Sequence, residues 1–225
     1  MNFLAIVKLT IPVMMGYIPL GMAFGLLLSK LLIPWYYAFF MSVFIFAGSG
    51  QFLALTLFAS QATILEIGIA TFLLNLRHTF YGLSMISTFK AFSWKKHYLI
   101  FGLTDETFAL LKTSDVPEQN REKVYLWITF LNQCYWIIGS VVGADFGEFY
   151  RAVEWMGLQR HLKVAGIFAR LTLRDDKPKY LADAPRFLHY IRSTANRYRQ
   201  LGPLLQLVDE IEGTTPVTGF AYGRM

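Results

Sequence analysis

The chain has 225 residues, 55% of them hydrophobic and only 16% charged, with a mean hydropathy of +0.41. Soluble domains average about 45–50% apolar and about 25% charged, so the composition excludes a single ordinary soluble domain. The net charge of +6 is spread along the chain, which gives no basic stripe for nucleic acid, and the single cysteine, Cys134, excludes an intramolecular disulfide.

The average hides a division. Met1–Gly143 carries 9 Lys and Arg with 6 Asp and Glu, whereas the shorter Ala144–Met225 carries 12 and 9. The pattern predicts an all-α chain. Residues 1–143 should form a polytopic transmembrane helical bundle of about 4–6 membrane segments, some broken or short. Residues 144–225 should form a small soluble α-helical tail. The lipid bilayer is thus the first expected partner.

Leu9–Ser29 is 21 residues without a charge, between Lys8 and Lys30. At about 1.5 Å per residue it reaches across the ~30 Å hydrocarbon core, and it is too long for the apolar part of a signal peptide. Pro12 and Pro19 fit a membrane helix packed on neighbours. Gly21 and Gly25 supply a close-approach surface for another helix. Leu31–Leu65 is 35 uncharged residues, too many for one straight span, and Ala47-Gly48-Ser49-Gly50-Gln51-Phe52 interrupts it. Two glycines flanking a serine favour unwinding, and freed backbone groups are tolerated in a membrane only where protein or a water-filled cavity satisfies them. Gly48, Ser49, Gly50 and Gln51 are therefore candidate substrate-binding residues, of the kind broken helices supply in secondary transporters. A tight turn between two short hairpin segments is the plainer alternative.

Ile67–Phe89 holds Asn75, Arg77 and His78 near its middle. An arginine at that depth costs about 2.5–3.5 kcal/mol on insertion scales, so it faces a bundle interior, a cavity or an ionic partner. Glu66 lies eleven residues before Arg77, about three helical turns away. Asp105 and Glu106, within Thr104-Asp105-Glu106-Thr107, are better partners. A loop holding Arg77-His78 between two half-spans would need none. After the polar stretch Lys112–Lys123, Val124–Ala144 is a further uncharged run of 21 residues. Its Trp127, Tyr135 and Trp136 suit a span that reaches the interface, and Asn132 and Gln133 suit hydrogen bonds between helices. The basic loop at Lys90, Lys95 and Lys96 is expected on the cytoplasmic side.

Five segments in order carry a resemblance. Pro19-Leu20-Gly21-Met22-Ala23-Phe24-Gly25, Phe46–Phe52, Asn75-Leu76-Arg77-His78 with Tyr81-Gly82, Phe101-Gly102-Leu103-Thr104-Asp105-Glu106-Thr107, and Asn132 with Tyr135-Trp136 resemble the AzlC family. That family comprises bacterial inner-membrane proteins linked to branched-chain amino acid export and azaleucine resistance. The resemblance implies a multi-pass inner-membrane protein, a small separate AzlD-type membrane subunit, a small-molecule amino acid substrate and no cofactor. Members of the family continue with further hydrophobic spans after the Tyr-Trp segment, and here the pattern changes instead.

From Asp145 the sequence looks soluble. Glu148–Leu171 places apolar residues at helical spacing, Arg174–Pro178 reads as a charged turn, and Asp183 before Ala184-Pro185 reads as an N-cap for a helix to about Arg199. Gly202-Pro203 should break that helix before a last one at Leu204–Ile211, with a frayed end at Gly213–Pro216. Trp155–Arg170 and Lys179–Arg186 resemble the C-terminal end of aminoglycoside-phosphotransferase-like N-acetylmuramate/N-acetylglucosamine kinases. Phosphoryl transfer in such enzymes needs a catalytic Asp and phosphate-holding groups. No HxDxxxxN pattern or Gly-rich loop is present, so His161 and His189 read as packing or surface residues.

A zwitterionic substrate needs one cationic and one anionic group to replace its lost hydration. Arg77 would take the carboxylate and Asp105 or Glu106 the ammonium, with Gly48, Ser49, Gly50, Gln51, Asn75 and His78 around them. Neither an enzyme nor a metal site is expected. Two alternatives stand beside transport. One is a non-functional chimera joined near Gly143-Ala144-Asp145 without a linker; the other is an amino-sugar kinase fragment lacking its catalytic residues.

Overall fold

A computed structural model describes residues 2–213, and every regular element among them is helical. They divide into two compact units, Met1–Glu148 and Phe149–Met225.

In the first unit, α1 (Phe3–Lys30) starts at Asn2, whose side chain accepts a hydrogen bond from Ala5 N–H at 3.0 Å, and runs through both Pro12 and Pro19. Helices α2 (Trp35–Phe44) and α3 (Gly48–Ala59) are short and apolar. The break between them lies at 45–47, where Phe46 adopts a left-handed φ of 41°. It therefore precedes the glycines, and Gly48-Ser49-Gly50 form the first turn of α3. Helix α4 (Ile64–Lys90) is continuous and opens with a capping box. Thr63 Oγ accepts from Glu66 N–H at 3.3 Å, and the Glu66 carboxylate accepts from Thr63 N–H at 2.7 Å. Arg77 and His78 thus lie in mid-helix, which removes the loop alternative.

A second break, at 102–104, separates α5 (Lys96–Phe101) from α6 (Asp105–Thr113). Thr104 caps α6 by accepting from Thr107 N–H at 3.3 Å. Asp105 and Glu106 occupy the first turn, at the positive end of the helix dipole. Helix α7 (Glu118–Leu173) then begins, six residues ahead of the uncharged run at Val124.

Two stripes of glycine bring α1 and α7 together backbone to backbone. A Cβ added at Gly21 would stand 2.9 Å from the Ser140 nitrogen, and one at Gly25 would collide with Ser140 and Ala144. The same test at Gly139 and Gly143 meets Ile18 and Met22, and at Gly147 it meets Ser29. The small-residue surface expected on α1 therefore has its counterpart on α7. Around this seam one buried cluster gathers Tyr17, Phe24, Leu28, Phe46, Leu55 and Trp136; a second gathers Met85, Phe89, Leu99, Leu111, Val124 and Ile128.

The outside is apolar as well. Ile64, Phe72, Phe80 and Leu83 on α4 are 90%, 66%, 68% and 62% exposed, and Phe39, Phe40 and Phe44 on α2 are exposed too. Patches of this extent are unsuited to water and suited to hydrocarbon. Among the described residues, α1 and α7 are the helices long and apolar enough to cross a membrane.

The second unit holds α7 from Phe149, a 3₁₀ turn (Pro178–Asp183), α8 (Ala184–Ala195), a second turn (Arg199–Leu201) and α9 (Gly202–Glu212). Its core is Leu158, Ile191 and Val208. Arg192 joins α8 to α9 through Asp209 at 2.7 Å and Glu212 at 2.5 Å. Asp183 holds the N-cap position of α8 without a capping bond. Its backbone continues the preceding turn in αR geometry, and a capping side chain needs an extended backbone to swing over the first N–H groups. Helix α8 stops at Ala195, four residues short of expectation. Gly202-Pro203 initiates α9 instead of only ending what precedes it, because proline suits the first helical turn. His161 packs against Phe187 and Tyr190, with ring centroids at 5.9 and 4.9 Å. The expectation of a frayed end falls, beyond Gly213, outside the described residues.

Candidate functional site

The two helix breaks meet at a cavity of about 260 Å³ inside the first unit. The 45–47 break brings Phe46 and Ala47, and α3 brings Gly48, Ser49 and Phe52. The α5–α6 break brings Thr104, and α6 brings Asp105 and Glu106. Arg77 and His78 come from the middle of α4, Tyr17 and Leu20 from α1, and Trp136 from α7. The lining combines charged and aromatic groups.

Arg77 organises the charged groups. One terminal nitrogen of its guanidinium donates to Asp105 Oδ2 and the other to Ser49 Oγ, so a single side chain ties α4 to the starts of both α3 and α6. Arg77 Nε and Asp105 Oδ1 remain without hydrogen-bond partners among the described residues. Glu106, one residue on, turns to α1. Tyr17 O–H donates to its Oε2 at 2.7 Å and lies 2.7 Å from Thr104 Oγ. From there a buried chain continues: Thr104 O–H to Thr107 Oγ at 2.9 Å, and Asn132 N–H to the same Thr107 oxygen at 3.0 Å.

Trp136 holds the aromatic groups. Its indole N–H donates to Gln51 Oε1 at 2.6 Å, and its ring meets Tyr17 edge-on at 5.5 Å and stacks on Phe24 at 6.3 Å. Gly48 lies flat against it; a Cβ there would come within 3.1 Å of the indole.

Of the residues expected at the site, Gly48, Ser49, Arg77, His78, Asp105 and Glu106 line the cavity together. Gly50, Gln51 and Asn75 do not. Gln51 is fully buried behind the wall, supporting Trp136. Tyr17, Thr104 and Trp136 were not expected at the site. Their signal was a hydroxyl or indole within an otherwise apolar span, where such a group needs a partner. Among the described residues no group of His, Cys, Asp and Glu is gathered for a metal ion.

Residues 12–150 match the family model described as AzlC protein. The chain belongs to the AzlC family. Its cavity lies wholly within that matched region, and the match ends two residues past Glu148, whose carboxylate accepts from Trp35 N–H at 2.8 Å. Similar proteins include an uncharacterized membrane protein of Helicobacter pylori, 44% identical over 142 residues, which are 63% of this chain and 62% of that protein. The branched-chain amino acid transport protein AzlC of Bacillus subtilis is 35% identical over 143 residues, 63% of this chain and 56% of that protein. The chain thus spans about 60% of the length of these relatives. A separate segment is similar to the N-acetylmuramate/N-acetylglucosamine kinase of Neisseria meningitidis, 54% identical over 85 residues, 37% of this chain and 25% of the kinase. No solved structure matches the chain. This is a membrane protein that joins an AzlC-type part to a kinase-like segment.

Proposed function

We propose that this AzlC-family chain is an inner-membrane transport protein that exports branched-chain amino acids together with a small AzlD-type subunit. Residues 1–143 would supply the transport part, with about 4–6 membrane segments when α2, α3 and the α5–α6 pair count as partial crossings. Residues 144–225 would form the soluble helical tail, with no catalytic role.

One observation carries the reading: a cavity bounded by two helix breaks is lined by a guanidinium and two carboxylates together with Tyr17, Phe46, Phe52 and Trp136. The charged groups match the two ends of a zwitterion, and the aromatic groups match an aliphatic side chain. Arg77, whose side chain is partly exposed, would take the substrate carboxylate, assisted by the N-terminal turn of α3 at Gly48 and Ser49. Glu106, which has no cationic partner among the described residues, would take the ammonium. Asp105 would hold Arg77 in place, His78 would close the wall, and Gln51 would act through Trp136. L-leucine efflux from proteoliposomes tests the reading. Arg77→Ala should abolish efflux that the unaltered chain supports, whereas unchanged efflux would remove Arg77 from the mechanism.

A second reading is a fused frame that inserts in the membrane without completing a transport cycle. Two unrelated likenesses meeting in one chain favour it. Sequencing independent DNA across Gly143–Asp145 decides it, since a permease frame continuing past the junction would support fusion.

A further inference from the structure

Helices α1 and α7, the two long and apolar enough to cross a membrane, run parallel: Phe3 meets Trp127 edge-on at 5.1 Å, and a Cβ at Gly25 would meet Ala144. Their N-terminal ends lie together, and a cavity of about 510 Å³ opens between them. Helix α1 lines it with Phe3 and Ile6, preceded by the cap residue Asn2; α7 lines it with Asn120, Lys123, Val124 and Trp127. These four α7 residues stand at i, i+3, i+4 and i+7, on one face of the helix. Both helices grade from polar to apolar in the same direction, toward their uncharged runs. Ile6 and Val124 are buried, whereas Asn2, Asn120 and Lys123 are exposed. Contacts gather positive charge at this end. Ser93 N–H donates to Glu122 at 3.2 Å and Tyr125 O–H to the Leu111 carbonyl at 2.8 Å, which brings the α4–α5 loop and the end of α6 beside the start of α7. Lys8, Lys90, Lys95, Lys96, Lys112 and Lys123 thus face only Asp115, Glu118 and Glu122 there. None of these lysines has an ion-pair partner among the described residues. Glu118 pairs with Arg121 at 3.5 Å, and Glu122 is taken by Ser93.

We infer that this cavity binds an anionic phospholipid of the phosphatidylglycerol class at its phosphodiester. Lys123 takes the negative charge. Asn2 Oδ1 already accepts from Ala5 N–H at 3.0 Å, which leaves its Nδ2 to donate, and the Asn120 side chain has no hydrogen-bond partner among the described residues. Both amides can therefore donate to the phosphate or glycerol oxygens. Phe3, Val124 and Trp127 take the first methylenes of an acyl chain. A soluble phosphate would leave that apolar part of the lining in water, and a zwitterionic phospholipid would bring its own ammonium toward Lys123. The lining thus selects a molecule that is anionic at one end and hydrocarbon at the other. Basic pockets between membrane helices take such headgroups, and tryptophan favours the level at which headgroups lie. The lipid site shares no lining residue with the cavity between the helix breaks, so its occupancy does not require transport.

The test uses the full chain in phosphatidylcholine nanodiscs, doped at equal mole fraction with phosphatidylglycerol or phosphatidylcholine that carries brominated acyl chains. Bromine quenches a tryptophan it touches, and subtracting the signal of the Trp127→Phe protein isolates Trp127. Phosphatidylglycerol should reach Trp127 with about fivefold preference over phosphatidylcholine, the weight of one lysine beside a membrane anion. Lys123→Gln should remove the preference. Asn120→Asp, which sets a carboxylate in the lining, should reverse it, and carries the same test if Lys123→Gln does not reconstitute. Lys112→Gln, at the same end of the unit but outside the cavity, should leave the preference intact. Equal quenching by the two lipids would overturn the inference. Equal losses in Lys112→Gln and Lys123→Gln would do so too, as the mark of diffuse attraction to the basic end. Relief of quenching by millimolar glycerol phosphate would also overturn it, by reassigning the cavity to a soluble phosphate compound.

Discussion

A double-mutant cycle on Arg77 and Asp105 probes the link that holds both helix breaks in place. The two side chains are 38% and 36% exposed within the protein, so their attraction is neither that of bulk water nor that of a dry interior. At about 4 Å a unit-charge pair is worth about 1 kcal/mol in water and about 4 kcal/mol at an effective dielectric of 20, which brackets the coupling. Removing only one partner should cost more than the pair contributes, since the half-buried charge left behind loses its counter-charge. Arg77→Gln and Asp105→Asn should therefore each destabilise the protein, and the double variant should regain about 1–3 kcal/mol relative to their sum. Reversible unfolding in mixed micelles measures all four proteins. Strict additivity of the two substitutions would refute a structural ion pair and detach α4 from the starts of α3 and α6.

The remaining predictions concern the scaffold. Gly143→Leu should push α1 from α7, because its Cβ would overlap Met22 backbone. Overpacking costs typically about 1–3 kcal/mol, and thermal unfolding together with cysteine cross-linking of the two helices would register the loss. Gln51→Leu should strand the buried Trp136 indole N–H, at about 1–3 kcal/mol, with a changed tryptophan emission spectrum as readout. Thr63→Ala should lose the capping box of α4 and about 1 kcal/mol, seen as faster hydrogen exchange at Ile64–Ile67. In the second unit, burial and the neighbouring Glu154 carboxylate raise the Tyr198 phenol above its ordinary range. The folded form then holds its proton more tightly than the unfolded form does. Its contribution to stability is complete below about pH 10 and falls as pH rises beyond that. Hydrogen exchange in α8 and α9 should quicken above that pH, and Tyr198→Phe should blunt the change.

The long uncharged runs were legible because lipid leaves no other use for them, and Arg77 was legible because an arginine at their centre demands a partner. The position of the first break was less so. Gly48-Ser49-Gly50 has low helix propensity, yet it starts α3, and the strain sits at Phe46 instead. The choice between Asp105 and Glu106 could not be read from spacing, since both lie in the first turn of α6. Successive residues point about 100° apart on a helix, which sends Asp105 to α4 and Glu106 to α1. Tyr17 and Trp136 enter the wall from spans far away in the chain, so only the tertiary fold joins them. The stripe Gly139, Gly143 and Gly147 repeats every four residues, and its meaning became clear only opposite Gly21 and Gly25.

Binding of three probes to the full chain in nanodiscs tests the central claim most directly: L-leucine, 3-methylbutylamine, which lacks the carboxylate, and 4-methylpentanoate, which lacks the ammonium. With one charged partner for each end of a zwitterion, leucine should bind at least about tenfold tighter than either analogue, a difference of about 1.4 kcal/mol. Equal affinity for all three, or no affinity for leucine, would contradict the account.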